Sequence, residues 1–303
     1  MKLESRRGYL SNPEKIALLT DSTADLPPAM REGKAIYVVP LKIHCQDGEY
    51  SDGVDIFARD VYARLKRGEL PRTSLPGGGA VSDAFDRIRA DGYEKVIAVM
   101  LSSGLSGTYN MVRLQGEQRN NLEVAVFDSR SAALGIGIII LQLWEEIMAG
   151  TTWVDLVERR VPHLIEHTYP FFSVDTLEYL YRGGRIGKVA AVAGSLLNIK
   201  PVITFARDGQ LQSVAKVRGR RQAQEKILEL LRQREEECRW RGKPLRYNLG
   251  LANGGASEEM ARLSRRMRQA LPDFQHCWEG ELGATLSVYI GDGVLGGGIQ
   301  FLD

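Results

Sequence analysis

Three times in the first half of the chain, a short apolar run rich in branched side chains stops at a small polar cluster. Ile16-Ala-Leu-Leu-Thr20 runs into Asp21-Ser22-Thr23, Val96-Ile-Ala-Val-Met-Leu101 into Ser102-Ser103-Gly104, and Val124-Ala-Val-Phe127 into Asp128-Ser129. A helix-like stretch follows each of them. Strand, polar turn and helix in succession are the unit of a parallel sheet covered on both faces. Val81, Ala84, Phe85 and Ile88 recur at helical spacing before the second run, and Ser131 reads as the cap of a buried helix that begins at Ala132. In such sheets ligands sit beyond the carboxyl ends of the strands, where the three polar clusters would converge.

The second half alternates differently. Residues 201–205, the turn Arg207-Asp208-Gly209 and residues 211–217 predict a hairpin. Helices over 222–237 and 257–271 flank a strand near 247–252, and Ala223, Ile227, Leu230 and Leu231 give the first helix one apolar face. The glycine-rich ending, 285–301, is expected to supply two more strands. A change of pattern near residues 165–172, around His167-Thr-Tyr-Pro170, divides the chain into two domains. Residues 1–168 read as an N-terminal three-layer α/β domain with a parallel sheet, and residues 169–303 as a C-terminal α/β domain with a mixed sheet.

Composition narrows the function. The 303 residues are 44% apolar and 26% charged, enough for a real core and unlike a disordered or fibrous chain. Forty Lys and Arg against 38 Asp and Glu leave a charge of +2, too balanced for a protein that lives on nucleic acid or an anionic membrane. Cys45, Cys238 and Cys277 are odd in number and widely spaced, which predicts neither a disulfide framework nor a zinc site and fits a reducing cytoplasm. The amino-terminal MKLESRRGYLSNPEK lacks the apolar core of a secretory signal, and the longest apolar run, 132–141, is half the roughly 20 residues of a membrane span. A cytoplasmic protein with no integral membrane segment is expected.

Leu101-Ser-Ser-Gly-Leu-Ser-Gly-Thr-Tyr109 is the richest stretch, because hydroxyls and glycines sit where a strand hands over to a helix amino terminus, a natural anion site. Taken singly, Ser102, Ser106 and Thr108 read as helix caps; together they favour a site. A stand-alone serine hydrolase or phosphotransferase using Ser102 or Ser103 is the alternative. It lacks the G-x-S-x-G elbow, and none of His44, His163, His167 and His276 lies in a polar cluster at a strand end. Arg72-Thr-Ser-Leu-Pro-Gly-Gly-Gly79 lets backbone approach a ligand or simply turns into a helix, and it lacks the Gly-Lys-Ser/Thr of a nucleotide loop. Arg182, Arg185 and Lys188, and likewise Arg218, Arg220 and Arg221, can clamp an anion or stay solvated. Asp21, Asp128 and Asp175 read as loop-capping carboxylates.

The order and spacing of these motifs resemble the DegV family of bacterial proteins over nearly the whole chain. The match runs through Thr20-Asp-Ser-Thr-Ala-Asp-Leu-Pro27, Val39-Pro-Leu41, Tyr50-Ser-Asp-Gly53, Thr73-Ser-Leu-Pro76, Ser102-Ser-Gly-Leu-Ser-Gly-Thr-Tyr109, Asp128-Ser-Arg130, Leu177-Glu-Tyr-Leu-Tyr-Arg-Gly-Gly-Arg-Ile186, Leu197-Asn-Ile-Lys-Pro201 and Val217-Arg-Gly-Arg220. The resemblance implies a long-chain fatty acid in a tunnel between two α/β domains. It also implies that the chain is the acyl-binding subunit of a fatty acid kinase, serving phospholipid metabolism. Such a chain is a carrier with no activity of its own and no tightly bound cofactor, and ATP and magnesium belong to the separate kinase subunit. The matching positions put the carboxylate on Thr73 and Ser103, supported by Ser74 and Ser102. Arg182, Arg185, Arg218 and Arg220 would meet the phosphate-bearing head or the partner subunit. Where the family carries His-x-Gly-Pro-Gly, this chain reads Tyr289-Ile-Gly-Asp-Gly293, so Tyr289 stands for the His as a neutral hydrogen-bonding group and Asp292 brings a negative charge toward the head. Gly77 stands where a second Ser is usual.

Overall fold

In chain order the strands are β1 (Ile16–Asp21), β2 (Ile36–Val39), β3 (Lys42–Cys45), β4 (Gly48–Ser51), β5 (Arg72–Ser74), β6 (Lys95–Met100) and β7 (Glu123–Asp128). They continue with β8 (Thr168–Ser173), β9 (Ile199–Phe205), β10 (Leu211–Arg218), β11 (Tyr247–Gly254), β12 (Phe274–Glu281) and β13 (Val294–Phe301). The computed structural model describes residues 12–192, 198–239 and 245–303. Leu197 and the amino-terminal residues 1–11, both read in the sequence, lie outside the described residues.

The three apolar runs of the first half are β1, β6 and β7, neighbours in an all-parallel sheet of order β2-β1-β6-β7. All six residues of β1 are buried, as a strand covered on both faces requires. Helix Gly78–Ala90 turns Val81, Ala84, Phe85 and Ile88 inward, onto one face of this sheet. The second sheet, of order β10-β9-β8-β13-β11-β12, is antiparallel except where β12 joins β11 in parallel. Helix Leu134–Met148 packs against strands of both sheets, which explains why it is apolar almost all round. Mixed α/β architecture on two sheets is thus the fold the sequence predicts.

Three local expectations change. Ser131 does not cap the buried helix: Ala133, in a left-handed conformation at φ 56°, directly precedes Leu134 and donates its N–H to Thr23 O at 2.8 Å. A backbone contact to the neighbouring loop therefore fixes the helix start. Residues 285–301 supply one strand, β13, preceded by helix Ala284–Ile290, because the carboxylate of Asp52 receives the first N–H groups of that helix. The strand β12 and a small antiparallel sheet β4-β3-β5 were not foreseen. Among the described residues, no helix is long and apolar enough to cross a membrane.

Candidate functional site

A cavity of about 360 Å³ lies between the two sheets, beneath the amino-terminal half of helix Leu134–Met148. That size falls at the lower end of small-molecule sites. Its walls are mainly apolar and come from both halves of the chain, Leu41 and Leu105 from the first and Phe172, Phe205, Leu282 and Leu286 from the second. Besides Thr168 and Thr285, the polar side chains of the lining form one group: Thr73 and Ser74 from β5, Ser106 from the turn after β6, Arg185, and Tyr289 from helix Ala284–Ile290.

The mouth is a set of hydroxyls backed by one guanidinium. Thr73 Oγ1 and Tyr289 Oη are 2.5 Å apart across 216 residues of sequence. Tyr289 is held in place by its surroundings. The Arg185 guanidinium lies 5.0 Å from the ring centroid and donates from Nη1 to Gly183 O at 2.7 Å. A Cβ on Gly183 would come within 2.4 Å of Tyr289 Cδ1, so the glycine lets the backbone lie flat against the ring. Ser106 Oγ pairs with Thr108 Oγ1 at 2.9 Å. Ser74 Oγ sits 2.8 Å from His44 Nε2, and His44 Nδ1 is 3.6 Å from Glu49.

The sequence-predicted residues divide. Thr73, Ser74, Tyr289 and Arg185 line the cavity. Ser102 and Ser103 do not. Ser102 is fully buried and donates to Gly209 O at 2.7 Å, tying the β6 turn to the β9–β10 hairpin; Gly209, at φ +74°, has no room for a Cβ beside that hydroxyl. Ser103 is exposed and donates to Asp128 at 2.5 Å, so the carboxylate-holding role expected of it falls on the wrong side of the loop. Ser106, read as a cap when taken singly and as part of a site with its neighbours, is the serine of that motif that reaches the cavity. No histidine accompanies Ser102 or Ser103 in hydrogen-bond reach among the described residues, which removes the geometry a nucleophile there needs. Arg182 is exposed and pairs with Glu178, while Arg218 is exposed with no ion pair among the described residues. Arg220 is committed to Asp175, Glu259 and the Gly293 carbonyl. Asp292 turns away from the mouth to Lys66 at 2.9 Å, so its charge does not face the head as expected.

Sequence reasoning missed the role of Asp25 and Asp52, although both stand in quoted motifs. Asp25 accepts from Gly283 N at 2.8 Å, and Asp52 from Ala284 N at 2.9 Å and Thr285 N at 3.2 Å. Two carboxylates of the first half thus seat the helix that carries Tyr289. Ile43, Ile56, Val61, Ala284 and Val288 pack behind it. Burial raises the carboxyls of Asp21, Asp25 and Asp52 above the usual range, Asp25 well above it, with the charge of Asp52 adding to its shift. Asp21 accepts from Leu101 N at 2.7 Å and from Thr23, the loop-capping role predicted for it.

These features define a class: two-sheet α/β proteins that enclose an apolar pocket with a hydroxyl-rich mouth. The chain belongs to the DegV family, whose model, described as "Uncharacterised protein, DegV family", matches residues 15–301. It is 38% identical over 285 residues to a DegV domain-containing protein of Clostridium acetobutylicum, covering 93% of this chain and 98% of that one. It is 30% identical over 282 residues to protein DegV of Bacillus subtilis, covering 93% and 97%. Among solved structures, a fatty-acid-binding DegV family protein from Thermus thermophilus superposes with a TM-score of 0.87 at 29% identity, covering 95% of this chain and all of that one. DegV of B. subtilis, described as a fatty acid binding protein, superposes at 0.82 and 29%, covering 95% and 99%.

Proposed function

We propose that this protein binds a long-chain fatty acid, with the acyl chain in the cavity and the carboxylate at the Thr73–Tyr289 mouth, and presents that carboxylate to a separate kinase subunit for acyl phosphate formation. The observation that carries the reading is the polarity of the cavity, mainly apolar along its walls with Thr73, Ser74, Ser106, Tyr289 and Arg185 together at its mouth. Each methylene removed from water contributes about 0.8 kcal/mol, so the acyl chain supplies most of the affinity. Hydroxyl donors orient the carboxylate and leave charge on its oxygens, as a group that must attack ATP requires. ATP and magnesium belong on the partner, and the chain acts as a carrier. The fatty-acid binding of the T. thermophilus and B. subtilis relatives supports the first half of this reading. Exposed Arg182 and Arg218 are the basic groups we assign to the partner or to the phosphate.

The test is mass spectrometry of an organic extract of the native protein beside a denatured blank. A stoichiometric long-chain fatty acid supports the reading. Protein that carries none, and takes up neither palmitate nor oleate, overturns it. Adding a candidate kinase with ATP and magnesium then tests the second half, through acyl phosphate trapped as a hydroxamate. A second reading draws on Ser74–His44–Glu49, a hydroxyl, imidazole and carboxylate in the order a serine esterase uses. It predicts fluorophosphonate labelling that Ser74→Ala abolishes, and an unlabelled protein would dismiss it.

A further inference from the structure

We infer that a hydrogen-bonded network of Gln142, Asn248, Gln300 and Thr168, which meets the cavity opposite the mouth through Thr168 and lies directly behind it, is the stop that sets how long an acyl chain the protein accepts. The inference rests on the fatty-acid reading above and adds its length limit.

The pairing of β8, β13 and β11 arranges their side chains in rows. Phe172, Gly296 and Ala252 form one row, Pro170, Gly298 and Gly250 the next, and Thr168, Gln300 and Asn248 the third. Residues two apart along a strand share a face, so all three rows look the same way, at a spacing of about 6.8 Å. Every member of the first two rows lines the cavity, and the five besides the mouth-side Phe172 are glycine, alanine or proline. Small residues make the floor open. The third row replaces them with an amide, a second amide and a hydroxyl. Above the floor, Leu134 and Ile138 of the buried helix line the cavity, and one turn further on its face Gln142 joins the network.

The network is closed upon itself. Asn248 Nδ2 donates to Gln142 Oε1 at 2.8 Å and to Gln300 Oε1 at 3.1 Å, and Gln300 Nε2 donates to Thr168 Oγ1 at 3.1 Å. Thr168 Oγ1 donates onward to Leu164 O at 2.6 Å, Gln142 Nε2 to Glu146 at 3.1 Å, and Asn248 Oδ1 accepts from His276 N at 3.2 Å. Asn248 and Gln300 have no exposed surface. A methyl group arriving at this wall finds no contact to gain by pushing further. Advancing it would strip buried amides of partners that an alkyl chain cannot replace. The mouth lies past the other end of β8, toward Leu180, Arg185 and Tyr289, so the methyl end of a chain anchored there points at the network.

The experiment is competitive uptake from an equimolar series of saturated fatty acids, running from shorter than laurate to longer than stearate, read by mass spectrometry of the bound fraction. In Gln142→Ala/Asn248→Ala/Gln300→Ala the open floor extends by one row, and the longest chain retained should gain several carbons. In Gly298→Val, which leaves the network intact, the floor is raised in its second row and the preference should move to shorter chains. A Cβ at Gly298 meets only ordinary contacts, the nearest at 3.5 Å, so this variant decides the question if the triple variant does not fold. Bound fatty acid with an unchanged length profile in the folded variants overturns the stop. Wild-type protein that retains no member of the series overturns both the stop and the fatty-acid reading.

Discussion

Replacing Tyr289 by Phe removes one hydroxyl from the mouth and nothing else. The ring stays held by Gly183 and Arg185, so the cavity keeps its shape. Thr73 Oγ1 loses its 2.5 Å partner, and a bound carboxylate loses a donor. Hydrogen bonds to a charged group are worth about 1.5–3 kcal/mol, which corresponds to roughly 10- to 150-fold weaker binding of the acid. The acyl contribution of about 0.8 kcal/mol per methylene is untouched, so the variant still retains ligand, only less tightly. The methyl ester of the same acid presents no anion, and there the loss should shrink to the ~0.5–1.5 kcal/mol of a neutral bond. Displacement of a fluorescent fatty acid by acid and by ester, in wild type and Tyr289→Phe, measures all four corners of the cycle. Thr73→Val should give a similar loss, and the double variant less than the sum, because the two hydroxyls share one hydrogen bond. Equal losses for acid and ester, or no loss for the acid, would refute the placement of the carboxylate at this mouth.

Ser103→Ala should leave fatty acid affinity unchanged by the same displacement assay, since its hydroxyl faces Asp128 and not the cavity. Asp292→Ala should change neither affinity nor, by more than about 1 kcal/mol, the stability measured by denaturant unfolding, because its ion pair with Lys66 is solvent-exposed. Asp25→Asn should weaken the dependence of stability on pH. The folded state holds the Asp25 proton well above the usual carboxyl range, whereas the unfolded chain releases it near ~3.9. Stability from this group is therefore complete below that pH and is lost as pH rises toward the folded value. Asn keeps an oxygen for Gly283 N–H and cannot ionise, so the variant should gain on wild type between acid and neutral pH in urea midpoints. Asp21 and Asp52, shifted in the same direction, preserve part of the slope. A wild-type advantage that grows with pH would contradict the sign.

What the sequence disclosed follows the range of the physics behind each feature. β1 and β6 were legible because a strand buried on both faces must be apolar throughout, the edge strand β7 because its half-buried Val124-Ala-Val-Phe127 run is still apolar, and the polar clusters mark where each one ends. Helix Gly78–Ala90 was legible from a single apolar stripe. The segment Ala284–Ile290 was not, because its apolar run suits strand and helix alike. What decides it is the pair of carboxylates 232 and 258 residues away that accept its first N–H groups.

The same distinction explains the site. Thr73 was recoverable from its motif and from the open loop that follows it, while the serine that joins it was misassigned within one motif. Ser102, Ser103 and Ser106 are chemically equivalent in sequence. The turn points the first at Gly209, the second at Asp128 and the third at the cavity, and only the first of these directions involves a distant segment whose glycine makes the approach possible. A local hydroxyl cluster therefore announces that a strand end is polar without saying which hydroxyl meets a ligand. Tyr289 reaches Thr73 only because Asp25 and Asp52 seat its helix and Gly183 clears its ring. The mouth is thus built by residues that never touch the ligand, and variants of Asp52 or Gly183 should disturb head-group binding through the position of that ring.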